Sequence, residues 1–145
     1  MDELFPAEKR QDVFALPVRV YIEDTDSGGV VFYANYLRYL ERARTEFVRS
    51  LGFARVIQLD AGIGYVVHSL NIQYHKPARL DDELHVTAQV IELGKSYIQF
   101  RQQVFRPATG DCLVSAEVKV ACIDAQSHKP RRLRPELVEA IPRAM

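Results

Sequence analysis

The sequence is poor in cysteine, balanced in charge and without long apolar runs. It has 145 residues and two cysteines, and its 19 basic and 19 acidic side chains leave no formal net charge. Because there is no basic excess, binding to nucleic acid through a broad positive face is disfavoured. No apolar run approaches the roughly 20 residues of a membrane-spanning helix, and the N-terminal residues lack a secretory signal pattern. We therefore expect a cytoplasmic protein with no transmembrane segment.

The two cysteines, Cys112 and Cys122, fall in one apolar segment. Ten residues of straight strand span about 33 Å, so no disulfide could join them. They also lack the spacing of a metal site. We expect two free, buried thiols and no bound metal.

Apolar periodicity predicts one domain over residues 16–145, preceded by a polar arm over residues 1–15. From Pro17 the apolar positions recur every second residue, at Val18, Val20 and Ile22, which predicts a strand. A long helix is then predicted from Asn35 to Leu51, with Asn35 as its N-cap and Gly52 as its C-terminal cap. Its apolar face consists of Tyr36, Leu40, Ala43, Phe47 and Leu51.

Residues 53–63 are predicted to form a short helix or an irregular connection. Four more alternating runs follow, separated by turn-forming residues. They begin near Val66, Leu84, Ile98 and Val114. His68 belongs to the first run, where we expect a core or interface histidine, and Gln102 shares the face of Ile98 and Phe100 in the third. Short connections between strands imply antiparallel pairing. The sequence therefore predicts an α+β fold, with a five-stranded antiparallel sheet around one long central helix. The open edges of such a sheet favour pairing with a second copy, so we expect a homodimer or homotetramer.

The segment Glu23–Val31 joins the first strand to the helix and carries three acidic side chains and two glycines. A carboxylate beside a helix N-terminus lies near free backbone N–H groups, which can also polarise a substrate carbonyl. This combination suits acyl transfer and makes Asp26 the leading candidate. The alternative is that these residues only form a turn or cap the helix, as Asp, Ser and Gly commonly do.

These residues also carry a family resemblance. The run Val18–Tyr36, followed by Glu41–Arg44, resembles the 4-hydroxybenzoyl-CoA thioesterase family of the hot-dog fold. It is most similar to the acyl-CoA thioesterase subgroup associated with the Tol-Pal envelope system. The similarity continues through Ile72–Asp82 and Gly94–Ser96, and it covers about residues 16–135.

The resemblance implies that Asp26 is catalytic and that a backbone N–H near Tyr33 polarises the thioester carbonyl. Asp26 would act as nucleophile or as general base. Many members of the subgroup carry His at the position of Tyr33, so only the backbone role carries over. Of the neighbouring acids, we expect Asp24 to serve the turn or an ion pair, and Glu41 to pair with Arg38 or Arg44.

Coenzyme A would enter as part of the substrate, with no separate cofactor. Its phosphates call for basic or hydroxyl groups nearby, and the candidates are Lys76, Lys95, Ser96 and Arg131. Further basic candidates are Arg79, Arg132 and Arg134.

Three functions follow from this reading. The leading one is an acyl-CoA thioesterase. The second is a non-catalytic module that binds acyl-CoA or acyl carrier protein for the cell envelope. The third is a hot-dog dehydratase, which generally needs an acid and a histidine within reach of each other; no histidine lies near Asp26 in the sequence.

Overall fold

The computed structural model describes residues 13–53 and 62–142, which form one antiparallel sheet with a long helix packed on it. The strands are β1 (Phe14–Arg19), β2 (Ile63–Tyr74), β3 (Glu83–Leu93), β4 (Tyr97–Arg106) and β5 (Asp111–Asp124). Helix α1 spans Asn35–Ser50, and the short helix α2 spans Pro135–Ala140. The sheet order is β1-β3-β4-β5-β2, and every neighbouring pair is antiparallel. The predicted α+β arrangement is confirmed.

Helix α1 lies on the sheet through the apolar face that the sequence predicted. Tyr36, Leu40, Ala43 and Phe47 are all buried. The Phe47 ring packs edge-on against Phe14 of β1 and Phe100 of β4, with centroids 5.9 Å and 6.0 Å away. The helix therefore joins strands from the edge and the middle of the sheet in one core.

Helix α1 begins at Asn35 as predicted and ends at Ser50, one residue before the predicted end; the predicted glycine cap is confirmed, and the predicted N-cap is wrong. Gly52 has φ 102°, a left-handed conformation that suits glycine after a helix, and its N–H donates to the Arg49 carbonyl at 2.9 Å. Asn35 is not the N-cap, because Ala34 occupies that position in a helical conformation. The Asn35 side chain instead donates to the buried carboxylate of Asp24.

Strand β1 is displaced toward the N-terminus relative to its predicted position. It includes Phe14 and Ala15, which the sequence placed in the arm. Ile22 is not a strand residue; it begins a 3-10 turn and is exposed. The turn forms because the Asp24 carboxylate and the Asp24 N–H both bond to the Tyr21 backbone, which competes with strand pairing.

Among the residues that the structure describes, strand β2 pairs only with β5 and is therefore an open edge of the sheet. Its register shifts between Val67 and Ser69, which makes a bulge at His68. His68 is exposed in the single chain and contacts Ser69, so it is not a core histidine, and the alternative of an interface histidine stays a prediction. The connection predicted to be a short helix or irregular segment over residues 53–63 lies largely outside the described residues.

Candidate active site

The segment between β1 and α1 folds into a narrow loop that presents Asp26. Thr25 forms an isolated antiparallel bridge with Val31. The Asp26 N–H donates to the Val30 carbonyl at 2.8 Å, and the Phe32 N–H donates to the Asp24 carbonyl at 3.0 Å. These pairings bring the start and the end of the loop together and leave Asp26 near its tip.

The Asp26 carboxylate is held by one oxygen only. Oδ1 accepts the Gly28 N–H at 2.8 Å and the Val30 N–H at 3.4 Å. Within residues 13–53 and 62–142, Oδ2 has no hydrogen-bond partner, and the residue is exposed. The turn-forming role considered from the sequence is therefore present, and it leaves a fixed carboxylate with one oxygen open to a reactant.

Both glycines after Asp26 fit this loop closely. A Cβ on Gly28 would lie 3.3 Å from Asp26 Oδ1, which is tight. Gly29 has φ 81°, a conformation that other residues adopt only at a cost. The two glycines thus shape the bond network that orients the carboxylate.

Asp24 has a structural role, as the sequence predicted for this acid. It is buried, with Oδ2 accepting the Tyr21 N–H at 2.9 Å and Oδ1 accepting from Asn35 Nδ2 at 3.0 Å. Asp24 thereby ties the 3-10 turn to the first turn of α1. Its charge also contributes to raising the pKa of the buried Tyr39 hydroxyl, mainly an effect of burial, and this keeps that phenol neutral.

Tyr33 lies two residues before α1, next to an aromatic cluster. Its carbonyl accepts the Tyr74 hydroxyl at 3.0 Å, and its ring lies 4.9 Å from Phe32 and 6.3 Å from Tyr74, centroid to centroid. Burial raises the pKa of Tyr74, and Tyr33 raises it further, so the Tyr74 hydroxyl stays a donor. Among the described residues, nothing accepts a hydrogen bond from the Tyr33 backbone N–H. That N–H is therefore free for a ligand.

The segment between β2 and β3 forms hydrogen bonds with the Asp26 loop. The Val31 N–H donates to the Ala78 carbonyl at 2.8 Å, and Val30 bridges to Arg79. Asp82 accepts the Arg79 N–H at 2.9 Å and pairs with Arg106, also at 2.9 Å. The ion pair between Asp82 and Arg106 of β4 thus stabilises the turn at Arg79 that contacts the Asp26 loop.

The coenzyme-A candidates fall at two ends of the sheet. Lys76 lies at the Asp26 end and donates to Asp111 at 2.9 Å, an interaction that holds the pKa of Asp111 below its usual range. Lys95, Ser96 and Arg131 lie at the other end, where the Ser96 carbonyl accepts the Cys122 N–H and the Cys122 carbonyl accepts the Arg131 N–H.

Within one chain these four residues do not form one site. Asp111 and Cys122 mark the two ends of β5, and eleven residues of strand span about 36 Å. Arg131 is further engaged by Asp124 at 3.5 Å. In the turn before β4, a Cβ on Gly94 would clash with the Tyr97 ring, so a larger residue there would have to displace that ring.

The other sequence predictions have simpler outcomes. Cys112 and Cys122 are buried thiols that are not joined in a disulfide, as expected. In the described stretches, no group of three His, Cys, Asp or Glu side chains could hold a metal ion. No helix in the part of the chain that the structure describes is long and apolar enough to cross a membrane. The hydrogen bond from Tyr74 to the Tyr33 carbonyl could not be predicted from the sequence, since Tyr74 occupies an ordinary alternating position of a strand.

Comparisons with known proteins identify the family of this chain. Residues 20–141 match the model of the thioesterase-like superfamily. An acyl-CoA thioesterase, YbgC, from Haemophilus influenzae is 46% identical over 118 residues, which cover 81% of this chain and 85% of that protein. An acyl-CoA thioester hydrolase, YbgC, from Escherichia coli O6:H1 is 39% identical over 126 residues, covering 87% and 93%.

Solved structures show the same fold. A probable thioesterase from Bartonella henselae superposes with a TM-score of 0.73 at 33% identity, covering 84% of this chain and 98% of that chain. A 1,4-dihydroxy-2-naphthoyl-CoA thioesterase from Synechocystis superposes with a TM-score of 0.82 at 21% identity, covering 89% and 95%. The hot-dog fold and the family resemblance predicted from the sequence are confirmed, and this chain is a thioesterase that belongs to the thioesterase-like superfamily.

Proposed function

We propose that the protein hydrolyses acyl-CoA to a free acid and coenzyme A, with Asp26 as the reacting carboxylate. The observation that carries this proposal is the Asp26 side chain, fixed through Oδ1 and open at Oδ2. The acyl-CoA thioesterases among its relatives support the choice of substrate.

The proposed chemistry needs an electrophile beside Asp26 and a donor for the developing oxyanion. In the nucleophilic route, Asp26 Oδ2 attacks the thioester carbonyl carbon and the coenzyme-A thiolate leaves, which gives a mixed anhydride that water then hydrolyses. In the general-base route, Asp26 takes a proton from water as the water attacks. In both, the free Tyr33 N–H stabilises the oxyanion, and losing one such donor typically costs about 3 kcal/mol.

A homodimer would bring the two groups of coenzyme-A candidates together. The free edge of β2 carries exposed apolar side chains at Val66, Val67, Leu70 and Tyr74, which favours pairing with a second copy. If two β2 strands pair antiparallel about a two-fold axis, the Lys95 end of one chain faces the Asp26 end of the other. We propose that Lys95, Ser96 and Arg131 of one chain and Lys76 of its partner contact one coenzyme A.

The two alternative functions, a binding module and a dehydratase, differ from a thioesterase in what they would do with the bound thioester. A binding module would hold acyl-CoA without releasing thiol. A dehydratase is not favoured, because among the described residues no histidine hydrogen-bonds to Asp26; His75, for instance, contacts Ser115 at 2.8 Å. Acyl carrier protein as the thioester carrier, a Tol-Pal role and a cytoplasmic location remain predictions.

Thiol release from short, long and aromatic acyl-CoAs, with product analysis, tests the proposed activity. We expect equal amounts of free acid and coenzyme A and no enoyl product. Tight binding without thiol release would instead identify a binding module, and an enoyl product would identify a dehydratase.

A further inference from the structure

A cavity lies between α1 and the β2 side of the sheet, away from the Asp26 loop. Its volume is about 310 Å³, and most of its lining is apolar, including Val48, Val67, Phe100 and Val120. Glu41 and Arg44 of α1 are the charged side chains that line it, among the described residues. An apolar cavity with one or two charged groups is the usual form of a small-molecule site.

Arg44 is held in place by a dedicated partner. Its guanidinium donates to Gln102 Oε1 at 2.9 Å. Gln102 is fully buried, and its Nε2 donates to the carbonyls of Leu40 and Thr87, both at 3.0 Å. Because these two carbonyls fix the amide, its oxygen must face Arg44. The buried Gln102 side chain therefore positions its Oε1 to accept a hydrogen bond from Arg44.

Arg44 nevertheless has no paired counter-charge. Within residues 13–53 and 62–142, no carboxylate lies at ion-pair distance from it. Burial lowers the pKa of Arg44, and Glu41 raises it only from a distance. A half-buried guanidinium has five N–H donors, and a neutral amide oxygen satisfies only part of that capacity. Such a cation is a favourable partner for an incoming carboxylate, which it can bind in a bidentate manner.

An exposed apolar path leads from the proposed reaction centre to this cavity. Tyr33 and Leu37 lie on the α1 side of the path, and Tyr74, Leu70 and Val67 lie on the β2 side. We call these five residues the α1–β2 seam. Helix positions three or four residues apart share a face, so Leu37 lies on the same face of α1 as Glu41 and Arg44, which line the cavity. At the helical rise, Arg44 lies about 14 Å along the axis from Asn35, where α1 begins two residues after Tyr33.

We propose that the acyl chain of the substrate lies along the α1–β2 seam, and that Arg44 binds a carboxylate at the far end of that chain. The substrate class would be acyl thioesters whose chain ends in a carboxylate and is long enough to reach Arg44. This inference rests on the proposed function, because the thioester position at Tyr33 fixes where the chain enters. The α1–β2 seam and the apolar lining of the cavity contact the methylene chain, and Arg44 binds the carboxylate at the end of that chain.

The test measures equilibrium binding of S-alkyl-CoA thioethers, which resemble the substrate and cannot be hydrolysed. One series of increasing length ends in a methyl group, and the matched series ends in a carboxylate. At the length that reaches Arg44, we expect wild type to bind the carboxylate form roughly tenfold tighter than the methyl form, the usual effect of a charged hydrogen bond. Equal binding of the two series at every length would overturn the proposal.

Variants assign the preference to Arg44. Arg44→Met should abolish it and leave the methyl series unaffected, whereas Arg44→Lys should keep part of it. Glu41→Gln should strengthen it, because a repelling carboxylate is removed. Arg49→Met is the control, since Arg49 is exposed on the same helix and pairs with Glu46.

A preference that persists in Arg44→Met would overturn the proposal. So would an Arg44→Met variant that folds, judged by circular dichroism, and loses only its dimeric state, since Arg44 would then serve a second copy. Absence of thioester turnover by wild type would contradict the proposed function alone, because the binding comparison does not depend on hydrolysis.

Discussion

Asp26 joins a turn-forming role to a proposed reactive one. The bonds from Gly28 and Val30 that make the loop are the same bonds that fix Oδ1 and leave Oδ2 open. A carboxylate already fixed in this way loses little conformational freedom when it reacts. The sequence allowed either role, and the structure shows that the first does not exclude the second.

Gly29→Ala should weaken the loop through the backbone alone. Gly29 has φ 81°, and a Cβ there would meet nothing within 4 Å. We expect a loss of about 1 kcal/mol in unfolding free energy, the usual cost of a left-handed conformation for a residue with a Cβ. Urea unfolding measures it, and thioester turnover should fall as well. Gly29→Asn should lose less, since Asn tolerates this conformation; an equal loss in both variants would contradict the argument.

Asp24→Asn should be more destabilising, because a buried carboxylate accepts two hydrogen bonds at this position. An amide can satisfy only one of the Tyr21 and Asn35 donors without turning its own NH₂ toward the other. The expected loss is about 1–3 kcal/mol, measured by urea unfolding. Combining Asp24→Asn with Asn35→Asp should recover part of it, since the donor and the acceptor exchange places. No recovery in the double variant would count against this pairing.

Among the secondary-structure elements, those with a clear apolar period followed from the sequence and those shaped by side-chain bonds did not. Helix α1 and the antiparallel strands were predicted from periodicity. Ile22 was wrongly placed in a strand and Asn35 was wrongly taken as the N-cap, because Asp24 bonds to the Tyr21 backbone and to the Asn35 side chain, and such contacts have no periodic signature. Gln102 was placed on the inward face of its strand, but its bond to Arg44 depends on tertiary packing.

The candidate site divides in the same way. Asp26 and Tyr33 are close in sequence, so their junction could be predicted from local chemistry and the family resemblance. The separation of Lys76 from Lys95 follows from strand order and register, which pattern analysis does not give.

The ion pair between Lys76 and Asp111 joins the end of β2 to the start of β5 and should give the fold an acid-sensitive contact. The pKa of Asp111 lies below its ordinary value of 3.8, with the Lys76 hydrogen bond as the largest cause. The contribution of this ion pair to the free energy of unfolding is therefore present above about pH 4, and it is lost as the pH falls through the lower pKa of Asp111 in the folded state. In acid unfolding, Lys76→Met should show a shallower loss of stability below pH 4. Lys129→Met, at an exposed position, is the control and should follow wild type.

For the whole molecule, β2 is one of the two edge strands of the sheet that the structure describes. Pairing of two copies along β2 would satisfy the free backbone groups of that edge and place the two ends of two sheets side by side. The proposed coenzyme-A site depends on this assembly, because one chain separates its basic groups by the length of β5.

Leu70→Lys should shift the protein from dimer toward monomer, since a charge would be placed in the proposed interface. Leu70 is 40% exposed in the single chain, so the substitution should not destabilise the monomer fold. Light scattering after size-exclusion chromatography measures the mass. Val138→Lys is the matched control, because Val138 is 37% exposed and belongs to α2, not to the strand proposed to pair. A monomeric wild type, or an unchanged mass in Leu70→Lys, would contradict pairing along β2.

The most direct test of the central claim compares acyl-CoA hydrolysis by wild type, Asp26→Asn and Glu23→Gln under the same conditions. Glu23 is an exposed acid in the same segment, so its variant makes the same charge change without touching the reacting carboxylate. Asp26→Asn keeps an oxygen that can accept the Gly28 and Val30 bonds, and its melting temperature checks that the fold persists. We expect kcat/KM to fall at least a hundredfold in Asp26→Asn, as general-base or nucleophile removal typically does, and to stay near wild type in Glu23→Gln. Equal hydrolysis by a folded Asp26→Asn variant would contradict the assignment of Asp26.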